Sequence, residues 1–287
     1  MTEETKGTGQ DVVTSKDGQV ALSADQLALM QKVSGKQKFN VRELMIPQLK
    51  IVQTAGGYMK RSSSEYIAEA KEGQFIDTLT LQLREPPIQV VIVRFATIYF
   101  ENKPNMGGLV KAWGSDSSGY DAAAGGDVGR RVTKDGNEIS EVGSYHVLLL
   151  NPDGSSLPAM MYVASTGWRE ARRLNTLLGG LELMGEDGPF TPPPYARTYT
   201  VSTVAMANDS NSWMGWKFGM GPLTQTLKYG NALFKKAVEF EESIDKGLVK
   251  VHETTVDDDG RGEAREARPT NGSTPPDAAG KDEEIPF

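Results

Sequence analysis

The residue types with most chemistry to offer in this chain are aromatic rings standing beside cations. Tyr58, Lys60 and Arg61 share a Gly- and Ser-rich turn, and Lys111, Trp113, Arg130 and Arg131 lie in a longer stretch of the same character. Trp168, Arg169, Arg172 and Arg173 form a third group, and Trp213, Trp216 and Lys217 a fourth. Arg94 and Tyr99 stand in the most apolar run of the sequence. A ring face stacks on a planar base and a neighbouring cation meets a phosphate, so these groups are candidates for a sequence-tolerant grip on unpaired nucleic acid. Each also has a plainer reading. Tyr58 to Arg61 suits a surface loop, the arginines at i, i+3 and i+4 suit a solvated helix face, and the rings near Arg94 suit core. Arg94 itself, in so apolar a run, needs a phosphate, a carboxylate or water.

Catalytic constellations are missing. The chain has no cysteine, which excludes disulfides, thiolate zinc sites and a cysteine nucleophile. Its two histidines, His146 and His252, are too few and too scattered for a triad or a histidine metal cluster. His146 reads as a packed strand histidine. Glu69-Ala70-Lys71 matches half of a Glu-X-Lys nuclease signature, but no Pro-Asp stands upstream to complete a metal site. No Gly-X-X-X-X-Gly-Lys loop is present, so nucleotide hydrolysis has no cradle. The expectation is a binding protein with no catalytic residue, no metal and no cofactor. A metal-dependent nuclease is the weakest of three readings.

The elements that must carry these groups read as mainly β. Met45 to Val52 is strand-like, with Pro47 at its start or on a sheet edge. Thr78 to Arg84 alternates and ends at Glu85-Pro86-Pro87, which predicts a hairpin with the strongest strand, Ile88 to Phe100. Glu101 to Val142 is Gly-, Asp- and Ser-rich and reads as a long functional loop or flexible arm. Tyr145 to Leu150 and Leu157 to Ala164 flank the turn Asn151-Pro152-Asp153-Gly154 and form a hairpin. A helix follows from Trp168 to about Leu183. Arg197 to Ala207 and Ser212 to Met220 make a further hairpin, in which period two puts Trp216 and Phe218 on one face and Trp213 and Lys217 on the other. Which of those faces is exposed is left open. Gly221-Pro222 opens the last helix, running to about Ile244. The predicted class is β-rich α+β, an elaborated OB-fold-like barrel with a C-terminal helix and a disordered acidic tail. A different small barrel or an α+β sheet is the alternative.

Charge divides the chain. The net charge is −7, yet residues 253–287 hold ten acids against four bases, which leaves 28 acids and 27 bases for residues 1–252. A balanced body is compatible with a basic groove, and a segregated acidic tail with contacts to other proteins. Residues 1–22 read as a disordered leader and 23–252 as the binding domain, opening with a short helix capped at Ser23. Residues 253–287 read as a disordered tail. The start, Met1 to Lys6, has no apolar stretch to act as a signal, and no run of about 20 apolar residues spans a bilayer.

The tail closes on Asp282-Glu283-Glu284-Ile285-Pro286-Phe287. Three acids before a Pro-Phe end resemble the acidic tip of bacterial single-stranded DNA-binding proteins, which docks on replication and repair proteins. The body carries none of the short bacterial form's motifs, so the resemblance is to a bacteriophage version. It implies a protein of the bacterial host cytoplasm that binds single-stranded DNA in replication, recombination and repair. It also implies recruitment of phage or host partners through Asp282, Glu283, Glu284, Ile285, Pro286 and Phe287. In physical terms Phe287 is a buried anchor contributing roughly 2 to 3 kcal/mol, with the acids steering encounter. The runner-up is a phage recombination or replication accessory protein that binds duplex DNA or host proteins.

Overall fold

The computed structural model describes residues 45–251 apart from 105–107, 126–129 and 210. The predicted leader, the helix from Ser23, His252, the acidic tail and its tip lie outside the described residues. In chain order the elements are β1 (Met45–Ile46), β2 (Gln48–Ile51), β3 (Phe75–Asp77), β4 (Leu83–Arg84), β5 (Ile88–Asn102), β6 (Leu109–Gly114) and the short helix α1 (Ser118–Ala122). Next come β7 (Arg130–Val132), β8 (Glu138–Leu150), β9 (Ser156–Ala164), α2 (Trp168–Gly179), β10 (Leu183–Gly185) and β11 (Gly188–Phe190). The chain then runs through β12 (Arg197–Ala207), β13 (Ser212–Leu223), α3 (Gly230–Asp245) and β14 (Lys250–Val251).

Ten strands form one sheet in the order β13-β12-β5-β8-β9-β2-β3-β4, with β6 added to β5 and β7 to β8. Neighbours are antiparallel except β2 and β9. The sheet curls into half a barrel. Phe75 on β3 and Trp216 on β13 come from nearly opposite ends of the strand order, yet their rings stack at 5.5 Å. That contact requires strong curvature, and a bulge between Ile92 and Arg94 bends the central strand.

Two layers of helix cover the sheet. The concave face buries Val90, Ile92, Tyr145, Val147, Met161 and Tyr199, and Trp168, Ala171 and Leu174 of α2 pack into it. The convex face presents Val91, Val93, Leu148 and Met160 to Leu233, Ala237 and Phe240 of α3. Strands buried on both faces read as unbroken apolar runs, which is why β5 and β8 stand out so clearly in the sequence. No helix among the described residues is long and apolar enough to cross a membrane.

The mainly β, barrel-like expectation with a C-terminal helix holds, as do the hairpins of β8 with β9 and β12 with β13. Three local expectations are corrected. Leu83–Arg84 pairs with β3, and the expected hairpin of Thr78 to Arg84 with β5 does not form. The Asp77 carboxylate accepts the Leu79 and Thr80 N–H groups at 2.9 and 3.0 Å, and Leu81 takes φ 55°, so the chain turns back within a few residues. The last helix starts at Gly230 because Gly221 and Pro222 extend β13, where Arg197 and Thr198 bond the Gly221 and Pro222 carbonyls. The stretch from Glu101 to Val142 carries β6, α1, β7 and the first half of β8 in place of a bare loop.

Candidate nucleic-acid interface

β5 and β8 pair from Gln89 opposite Leu150 out to Asn102 opposite Glu138, well past the reach of β12. At their far end β6 joins β5 and β7 joins β8, making a four-stranded arm. A buried carboxylate ties it together. Glu101 accepts the Trp113 indole N–H at 3.0 Å and the Asn137 amide at 2.8 Å while itself only 7% exposed. Lys111 stands 3.1 Å over the Trp113 ring, and the bare α-carbon of Gly119 lies against the same ring, where a Cβ would come within 2.5 Å. Arg130 pairs with Glu138 at 3.4 Å.

Beside this lies a second aromatic group. The Tyr99 and Tyr120 rings meet at 5.1 Å, and the Arg131 guanidinium sits 4.3 Å over Tyr120 while donating to its carbonyl at 3.0 Å. Glu141 stands opposite Tyr99 in the strand register. Desolvation holds the Glu141 carboxyl above its ordinary range, opposed by the charges of Arg172 and Arg131. One carboxylate thus feels both a cation of the arm and a cation of α2. Desolvation also raises the Tyr99 hydroxyl, with the Glu141 charge adding to it.

Of the residues singled out in the sequence, the arm gathers Tyr99, Lys111, Trp113, Arg130 and Arg131, and α2 brings up Arg172. Arg169 and Arg173 are exposed on the same helix, and Arg173 donates to Glu170 at 3.2 Å and to the Phe218 carbonyl at 3.1 Å. Others go elsewhere. Tyr58, expected at a surface turn, is buried with Val52 and Ile76, and burial pushes its hydroxyl up to about 12; its ring has no free face. Lys60 and Arg61 are exposed after it and take no part in the arm cluster. Trp168 is buried against Gly143. Arg94 finds its carboxylate in Asp245 of α3. The open question on β13 resolves in favour of Trp216 and Phe218 as the inward face, parallel within 5° at 6.2 Å, with Lys217 exposed and Trp213 half-buried on the other.

Tyr120 and Glu141 were not singled out from sequence. Tyr120 sits in a Ser- and Gly-rich segment whose helix is too short to show a period, and Glu141 precedes the apolar run of β8 without a motif. A further feature lies where the sheet is incomplete. β12 pairs β5 over Ile88–Val91 and β6 pairs it over Tyr99–Asn102, so on that edge Ile92 to Ile98 meet no strand among the described residues. A cleft of about 400 Å³ opens there between α2, the proline run after β11, and α3.

A model of the Pam3 phage gp34-like protein family matches residues 15–250. The chain belongs to this phage family. No curated protein and no solved structure matches it. The match to Pam3 gp34-like proteins spans every described element except the last residue of β14 and stops before the acidic segment. The arm, α2 and the cleft therefore all fall within the matched residues.

Proposed function

We propose that this phage protein binds single-stranded DNA without sequence preference during phage DNA replication, recombination or repair, and that it does so without catalysis. The observation that carries this reading is the convergence of Tyr99, Tyr120 and Arg131 on the arm with Arg172 on α2 around Glu141. Half-exposed rings interleaved with cations suit stacked bases and tracked phosphates, each stacked base contributing about 1 to 3 kcal/mol. The near-neutral charge of residues 1–252 leaves such a patch unopposed by the body as a whole. In this reading the tip, Asp282 to Phe287, recruits replication, recombination and repair proteins of phage or host. A titration of the full-length protein with oligo-dT, followed by Trp fluorescence at two salt concentrations, tests it. Binding that weakens with salt by a slope of about 0.7 per phosphate met is the expected result. Absence of binding at low salt ends the reading. Deleting Ile285 to Phe287 is expected to abolish partner capture while leaving DNA affinity equal or higher.

One observation favours the accessory-protein reading instead. Val110 and Val132, on the outer strands of the arm, are 45% and 40% exposed, which suits a protein contact. Competition between oligo-dT and a duplex of equal length separates the two.

A further inference from the structure

The incomplete edge of β5 offers more than a gap in a sheet. The walls of the cleft are Phe95, Leu178, Pro192 and Pro194, and its polar groups include Asn175 and Glu241. Both polar groups are held from behind by tyrosines. The Tyr145 hydroxyl, buried in the core, donates to Asn175 Oδ1 at 2.9 Å, which turns the Asn175 amide N–H groups toward other acceptors. The Tyr195 hydroxyl donates to Glu241 Oε2 at 3.0 Å, leaving Oε1 to accept. Val93, Arg94 and Phe95 line the cleft from β5, one edge of which meets no strand among the described residues between Ile92 and Ile98.

Flat apolar walls with a fixed donor, a fixed acceptor and an open main-chain edge match one class of ligand. We infer that the cleft on the open edge of β5 takes a single unstacked nucleobase from the bound strand. The inference rests on the single-strand reading above and deepens it. Every natural base offers an N–H donor for a carboxylate and a carbonyl or ring-nitrogen acceptor for an amide, so the arrangement holds a base without selecting one. Proline, leucine and phenylalanine faces supply the stacking partners that an extruded base loses from its neighbours.

The experiment fills the cleft from one wall. A Cβ built on Gly179, at the end of α2, meets nothing within 4 Å, so Gly179→Leu adds bulk without a clash and favours the helix. Full-length wild type and Gly179→Leu are titrated with oligo-dT and with an abasic oligonucleotide of the same length. The expected result is a loss of about tenfold in oligo-dT affinity for the variant, with the abasic strand bound equally by both. Equal affinity of both proteins for oligo-dT overturns the inference. If wild type ignores oligo-dT altogether, the single-strand reading fails on its own, and thymidine and adenosine titrations decide the cleft separately. Nucleoside-induced shifts in the NMR signals of Phe95, Asn175 and Leu178 that vanish in Gly179→Leu support it. Silence toward nucleosides, including occupancy by an extended peptide alone, refutes it.

Discussion

The side chain of Gln53 stands in for a missing strand against Met214. Its Nε2 donates to the Met214 carbonyl at 2.7 Å and its Oε1 accepts the Met214 N–H at 2.8 Å, a two-bond pairing across the seam of the half-barrel. Thr203 Oγ1 adds a bond to the Gly73 carbonyl at 2.9 Å on the same seam. At the outer edge of β13 the Phe218 carbonyl is taken by Arg173. Side chains thus occupy main-chain groups on an edge strand that a second chain would otherwise pair with.

Gln53 is 6% exposed, so removing its amide strands two main-chain groups. Gln53→Leu, close in volume, is expected to cost about 2 to 3 kcal/mol in urea unfolding. Gln53→Glu should cost more, since it buries a charged carboxylate and sets one of its oxygens against the Met214 carbonyl oxygen. A change below about 0.5 kcal/mol for the leucine variant would show that the seam is held by packing alone.

Glu101 organises the arm and not the core. Glu101→Ala frees both the Trp113 indole and the Asn137 amide, and the arm has no buried face comparable to that under α2. Amide exchange within Leu109–Gly114 is therefore expected to accelerate by more than about tenfold while global stability falls by about 1 kcal/mol. A global loss several times larger would mean that the arm folds as one unit with the sheet.

His146 makes stability depend on pH. It stands on β8 facing α3, edge-on to Phe240 at 6.2 Å, and its Nδ1 finds no partner among the described residues. Burial, with the Arg94 charge second, lowers its pKa to about 4 from an ordinary 6.5. A depressed folded-state pKa means that the unfolded chain binds the proton first. The stabilisation is complete above pH 6.5 and is lost progressively as pH falls toward 4, by up to about 3 kcal/mol. In His146→Leu the slope between those limits should be much smaller. An unchanged slope there would assign the effect to another group.

The two cations that face Glu141 should act through DNA and not through folding. Arg131→Glu and Arg172→Glu are each expected to lower oligo-dT affinity by about tenfold and to reduce the salt slope by about one phosphate's worth. Lys235→Glu, on the exposed side of α3, is the control and should change affinity less than about twofold. Equal effects from all three would reveal a response to net charge alone.

What could be read from the sequence follows from where its information is local. The turn Asn151-Pro152-Asp153-Gly154 fixes the β8–β9 hairpin by its own residues, and the bond that the Ser155 N–H donates to Asp153 Oδ1 is visible in the sequence as an Asp two residues before a Ser. The apolar run of β5 announces a strand buried on both faces. The arm shows no such signature. Its strands β6 and β7 are short and half-solvated, and they form because β5 and β8 are long enough to offer them an edge. Leu83–Arg84 alternates like a partner for β5, but the Asp77 carboxylate turns it onto β3 first. Aromatics were the least legible. Tyr58 in a polar stretch is core, while Tyr120 in a similar stretch stacks on the arm, and composition does not distinguish them.

The parallel clasp of β1 with β14, Met45 opposite Lys250 and Ile46 opposite Val251, gives the body a mechanical property. Met45 opens β1 and Val251 closes β14, so tension drawn between these two residues loads this short clasp before any strand of the large sheet. Because the two segments run parallel, the load acts along them in shear, and both pairs of contacts must give way together.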